Sequence, residues 1–350
     1  MYFILLLFEI FALYYVNHKF SIVSNRFIVG LWFIVFVMLG TYGYFSDDYE
    51  PYIDSVALSY ANPFANIHME PFWIYLSDVC KGEITEFRFL SFSSIAIILW
   101  LVCWQAKIEA KYFLCYYTLL CMASHICWIR QPLAMAVFML GVIFLINKKI
   151  VFAVPCLIGA YFFHKTGFVF LLMLAFMLIP LNRKAIWLYI ILGISFIIGF
   201  SLFMSLDLPI TAFLLLYLES EGEFAARNIV FTILSNIALI CNFILSLGLI
   251  YHFYNHKNVV VHYLLRYLSG LVLLALCLTV IPYETGVMAK RVLAMANFVN
   301  VIILSIALKS NLYQKRYYLI SLPIFAKFLI SEVMTFGNNY TKIYRLTKPF

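Results

Sequence analysis

Long apolar runs, separated by short segments with paired basic residues, set the pattern of this chain. Twelve runs stand out, at about 2–16, 27–42, 89–105, 112–128, 131–146, 150–163, 167–181, 185–206, 228–251, 258–281, 291–308 and 317–336. A helix needs ~20 apolar residues to cross a hydrocarbon core about 30 Å thick. The runs lack the strict apolar/polar alternation of barrel strands. In lipid every backbone N–H and C=O has to be satisfied within the segment, so the runs predict helices. The expected fold is all-α, a polytopic integral membrane bundle of about ten to twelve transmembrane helices. Several runs fall short of ~20 residues. They are expected to tilt less, to extend into the interface, or to bend at Pro132, Pro155 and Pro180.

One stretch breaks the pattern. Eight of the sixteen carboxylates lie between Gly43 and Arg88, among aromatics and prolines: Asp47, Asp48, Glu50, Asp54, Glu70, Asp78, Glu83 and Glu86. A charge at the centre of a lipid-facing helix costs roughly 2.5–3.5 kcal/mol on insertion scales. This stretch therefore has to stand in water or line a polar cavity. The expectation is a single integral membrane domain over 1–350, with a large periplasmic acidic-aromatic loop at 43–88 that bears short interfacial helices. A second outer loop is expected at 207–227.

Lysine and arginine give the orientation. With the amino terminus outside, inner loops carry twelve basic residues and outer loops before the tail carry seven. Lys342, Arg345 and Lys348 would then sit outside, against the rule, so either the span count shifts by one or these cations face an anionic ligand. The net charge of +8 does not point to nucleic acid, because the basic residues are scattered at span ends rather than gathered in a stripe. Met1 to Val16 has no basic leader and no small-residue cleavage site, and reads as a retained span. The eight cysteines lie almost all in apolar runs without a CxxC, as small buried hydrophobes do.

Four segments carry candidate chemistry, and on this topology all four reach the outer face. In Tyr44–Tyr52, Asp47 and Asp48 are positioned to act as general bases, to bind sugar hydroxyls or to hold a cation. Tyr49 and Tyr52 offer aromatic faces for stacking a sugar, and an interfacial aromatic belt explains them equally well. In His68–Trp73, Glu70 precedes a proline at the start of a short helix, as a base or as a helix cap. Arg130 and Gln131 stand between two apolar runs, where an unpaired guanidinium is costly and calls for a carboxylate or phosphate partner. His164, Lys165 and Thr166 form almost the whole connection between two spans. Arg291, beside Lys290, is a fifth and weaker candidate. Cations converging on one face suit a pyrophosphate, which accepts forked hydrogen bonds. A Gly-rich nucleotide loop, HExxH and GxSxG are all missing, which disfavours a nucleotide donor and a hydrolase.

Taken in order, these segments resemble the EpsG-like branch of the Wzy polysaccharide polymerases. The resemblance rests on Phe45-Ser46-Asp47-Asp48-Tyr49-Glu50-Pro51-Tyr52, Glu70-Pro71-Phe72, Arg130-Gln131 and Phe163-His164-Lys165-Thr166. It covers residues 40 to 180 closely. Ser46-Asp47-Asp48 stands where a glycine-containing turn is common, which leaves open which aspartate matches the family carboxylate. The resemblance implies an inverting membrane glycosyltransferase at the periplasmic face of the bacterial inner membrane, polymerising O-antigen, capsule or exopolysaccharide units. Donor and acceptor would be undecaprenyl-pyrophosphate-linked glycans, with a chain-length regulator and a flippase as partners and neither metal nor cofactor required. Arg130, Lys165 and Arg291 would hold the pyrophosphate, and Tyr49, Tyr52 and Gln131 the sugar. Asp48, Asp47 or Glu70 would be the acceptor base, with His164 as the rival. An O-antigen ligase, or a flippase for lipid-linked oligosaccharides, is the alternative.

Overall fold

The computed structural model describes residues 2–17, 25–42, 49–63, 69–204, 229–280, 286–308, 317 and 319–330. The regular elements among them are helical. In chain order they are α1 (Tyr2–Asn17), α2 (Asn25–Tyr42), α3 (Tyr49–Ala61), α4 (Pro71–Val79), α5 (Ile84–Ala106), α6 (Ala110–Tyr117), α7 (Ala123–Cys127), α8 (Arg130–Ile146), α9 (Ile150–Phe163), α10 (Thr166–Met173) and α11 (Arg183–Met204). There follow α12 (Ile229–Phe253), α13 (Val259–Val280), α14 (Gly286–Ile303) and α15 (Leu319–Ile330). Four helices among the described residues have the length and composition to cross a membrane, and seven shorter apolar ones accompany them. The protein is an all-α, multi-pass bundle.

Helix α8 is its axis. Every residue from Gln131 to Ile143 is buried, so this helix is sheathed by others on all sides. Helix α9 returns antiparallel to it, and α5 packs along it. Pro132 lies in the first turn of α8, where its missing N–H costs nothing, so α8 needs no bend there. Pro155 does lie inside α9.

Three expected spans differ in detail. Helix α5 starts at Ile84, five residues before the apolar run, because Glu83 and Glu86 place carboxylates at a helix amino terminus where the dipole favours them. Arg88 is thereby drawn into a helix and buried. The run 112–128 passes through a π-helical turn at Thr118–Met122. There the Thr118 hydroxyl donates to the Leu114 carbonyl and accepts from Trp32 Nε1 at 2.7 Å. The carbonyl of Leu120, in the same turn, accepts from part-buried Lys327 Nζ on α15. The run 167–181 tightens after Met173 into a 3-10 turn, Leu174–Leu178, which ends ahead of Pro180.

The 43–88 loop holds two of the expected short helices, α3 and α4, against the end of the bundle. The proposed second loop at 207–227 and the basic tail lie outside the described residues.

Helices α2 and α5 meet at Gly40. A Cβ there would lie 2.2 Å from the Phe92 ring, and the Gly40 carbonyl accepts from Arg88 Nε at 2.7 Å. Because Phe92 is fully buried, its ring has nowhere to retreat. Gly40→Ala is therefore expected to cost about 1–3 kcal/mol through overpacking, read as a lowered midpoint of thermal unfolding in detergent. An unchanged midpoint would show that α2 slides past α5 freely.

Candidate functional site

At one end of the bundle the first turns of α4, α8 and α10 and the last turn of α9 converge. Their closeness follows from how each helix end satisfies its leftover backbone groups. Trp73 is fully buried and donates from Nε1 to the Phe163 carbonyl at 2.6 Å, which supplies a partner for the end of α9. Phe72 packs edge-on to Phe163 with ring centroids 4.5 Å apart. These two aromatics pin α4 against the 163–166 turn.

Glu70 immediately precedes α4, in extended backbone, with Pro71 at the first helical position. Its carboxylate makes no capping hydrogen bond to its own helix. It turns instead to Arg130, whose Nη1 donates to Oε2 at 2.8 Å. Its other oxygen, Oε1, accepts the backbone N–H of Lys165 at 3.4 Å, one of the free donors at the start of α10. Glu70 therefore ties the central helix to the α9–α10 turn, and its side chain is almost wholly buried.

Arg130 is the first residue of α8. A cation at a helix amino terminus works against the dipole, and a sequence selected for stability alone would not put one there. Here two partners offset the cost. Besides Glu70, the hydroxyl of Tyr52 on α3 accepts from Arg130 Nε at 3.0 Å, and the Tyr52 ring lies 5.7 Å from the guanidinium carbon. The next residue, Gln131, donates from Nε2 to the Arg291 carbonyl at 3.2 Å, so the first turn of α8 also holds α14.

His164 is buried beside this cluster. Its Nδ1 accepts the Thr166 backbone N–H at 3.2 Å and lies 2.8 Å from the Thr166 hydroxyl. A ring nitrogen that accepts an N–H carries no proton, so these bonds assign the imidazole proton to Nε2. Burial, followed by the charges of Arg291, Arg130 and Lys165, holds His164 well below the ordinary imidazole value. At neutral pH it is an uncharged ring offering an N–H donor. Lys165 follows His164 directly, its N–H bonds the Glu70 that pairs with Arg130, and Gln131 bonds the Arg291 carbonyl.

The structure thus brings Glu70, Tyr52, Arg130, Gln131, His164, Lys165 and Arg291 to one end of the bundle. Asp47 and Asp48 lie outside the described residues, in the six-residue connection between Tyr42 and Tyr49. Tyr49 opens α3, and its side chain too lies outside the described set. Trp73 and Thr166 fall inside segments that the sequence singles out, but the sequence assigns neither a role of its own. Trp73 holds α4 to the Phe163 carbonyl, and Thr166 bonds His164. Arg88 did carry a signal, as a cation immediately before a long apolar run. It lies in the first turns of α5, bonded to the last turn of α2 just ahead of Asp47 and Asp48 in the chain.

The family model for EpsG matches residues 25–346, nearly the whole chain and every element of this cluster. The chain belongs to the EpsG family. No curated protein and no solved structure matches it. EpsG membership and the apolar helices together make this a multi-pass membrane protein of polysaccharide biosynthesis, and the family is consistent with a glycosyltransferase-like polymerase.

Proposed function

We propose that this EpsG-family protein polymerises polyprenyl-pyrophosphate-linked oligosaccharide repeat units by direct glycosyl transfer, at the periplasmic face of a bacterial inner membrane. The observation that carries the reading is the Arg130 guanidinium, held by Glu70 and Tyr52 at the start of the central helix, with Lys165 and His164 beside it. The acceptor hydroxyl oxygen attacks the anomeric carbon while the bond from that carbon to the pyrophosphate oxygen breaks. Its electron pair leaves with the pyrophosphate, and a base takes the hydroxyl proton. One displacement inverts the anomeric centre.

The leaving group is activated already, so what the protein has to supply is stabilisation of growing negative charge and removal of one proton. Arg130, Lys165 and Arg291 supply the first. His164 adds a neutral Nε2–H donor to the same oxygens, a different role from that of a base. Glu70 has one oxygen on a guanidinium and the other on a backbone N–H, which leaves it little to offer an acceptor hydroxyl. Its role is to aim Arg130, and Tyr52 does the same from the other side. Asp47 or Asp48 is then the acceptor base.

The test is polymer formation by the purified protein from lipid-linked repeat units. A ladder of products is expected. Transfer only of finished chains to a lipid A core would replace the reading with a ligase, and passage across vesicles without transfer would replace it with a flippase. One of Asp47→Asn and Asp48→Asn should lower turnover by ~100-fold or more while donor binding survives. Near-normal turnover in both would remove the aspartates as bases.

A further inference from the structure

Helices α9 and α10 come into close contact at Gly167. A Cβ on Gly167 would lie 2.8 Å from both the Ala160 carbonyl carbon and the Tyr161 nitrogen, so only glycine lets the two backbones meet there. Beside this contact the helices part and leave a cleft of about 580 Å³, lined by Ile158, Tyr161, Phe168 and Leu171 among others. That volume falls within the ~300–1,000 Å³ typical of ligand pockets. Ile158, Tyr161 and Phe168 are half exposed, so the cleft opens sideways, towards what would be lipid in a membrane. Lys165 is the one charged residue on its wall.

We propose that this cleft holds the isoprenoid chain of the lipid-linked donor, with the Lys165 ammonium meeting the pyrophosphate. The inference rests on the polymerase reading above and locates its substrate. An apolar trough under one cation is complementary to an anionic head on a hydrocarbon chain. A phospholipid shares that outline, and the surroundings of Lys165 decide between them. Its backbone N–H bonds Glu70, the partner of Arg130, and Gln131 beside Arg130 bonds the Arg291 carbonyl. Three cationic residues on linked helix turns match the several charges of a pyrophosphate better than the single charge of a phosphodiester. A sideways opening also lets the chain enter from the bilayer while its head stays at the level of the site.

The experiment uses the full chain in nanodiscs of phosphatidylethanolamine and phosphatidylglycerol, with a polyprenyl pyrophosphate bearing a diazirine on its isoprenoid chain. Photolabelling is expected within residues 157–171. Excess unlabelled polyprenyl pyrophosphate should compete, whereas matched polyprenol or added phosphatidylglycerol should not. Ile158→Trp and Leu171→Trp place an indole in the cleft at lipid-facing or half-exposed positions and should cut labelling roughly 10-fold. Labelling elsewhere, equal competition by phosphatidylglycerol, or full labelling of both tryptophan variants would overturn the proposal. Labelling requires no turnover. A labelled cleft in a protein that makes no polymer would therefore count against the polymerase reading, and an active polymerase with an unlabelled cleft would count against the cleft.

Discussion

Arg130→Ala is expected to abolish polymer formation, and Arg130→Lys to restore little of it. The guanidinium reaches in two fixed directions, from Nη1 to Glu70 at 2.8 Å and from Nε to Tyr52 at 3.0 Å. An ammonium is a point donor on a flexible stem and cannot hold both partners while meeting a phosphate. Losing one well-aimed stabiliser of developing charge costs ~100–1,000-fold in turnover in comparable sites. Stability has to be separated from chemistry here, because alanine also strands the buried Glu70 carboxylate. Removing one member of a buried pair costs about 3–5 kcal/mol. The control is Arg130→Gln combined with Glu70→Gln, which removes both charges together. This neutral pair should unfold near the wild-type temperature and still make no polymer. Polymer from the neutral pair, or wild-type chain length from Arg130→Lys, would show that the fork has no part in the reaction.

The fold was legible because lipid leaves a chain few choices. Unbroken apolar runs have to be helices, and the described helices other than α3 and α4 fall on the expected runs. What escaped was decided by single contacts. The early start of α5 depends on Glu83 and Glu86 at a helix amino terminus, and a hydropathy reading counts those residues only as polar. The π-helical turn depends on Thr118 meeting Trp32, which lies 86 positions away. Lys327 could have been found, since a lysine within an apolar run calls for a buried partner.

Part of the site was legible for the same electrostatic reason. Arg130 sits between two apolar runs and needed a counter-charge, and the nearby acidic loop was the obvious source. That Glu70 would supply it, rather than cap its own helix, depends on a contact spanning 60 positions. Nor could sequence show that Thr166 occupies His164 Nδ1 and so leaves the ring proton on Nε2.

Combining Glu70→Gln with Arg130→Lys is expected to cost little more than Arg130→Lys alone. If Glu70 acts only by aiming Arg130, a lysine that can no longer be aimed has already lost what Glu70 provides. The two losses then overlap, as they do for residues in one contact network. In the wild-type background Glu70→Gln should slow turnover, because an amide keeps the shape of the carboxylate and loses the charge that orients the guanidinium. A base behaves differently. Its loss lowers turnover ~100-fold whatever holds the pyrophosphate, so the two effects would multiply. The measurement is the initial rate of polymer formation for the four proteins of the cycle, with donor binding followed in parallel. Multiplied losses, with donor binding intact in Glu70→Gln, would return the proton to Glu70 and take it from Asp47 and Asp48. Overlapping losses leave Glu70 as the residue through which α4 sets the direction of the Arg130 fork.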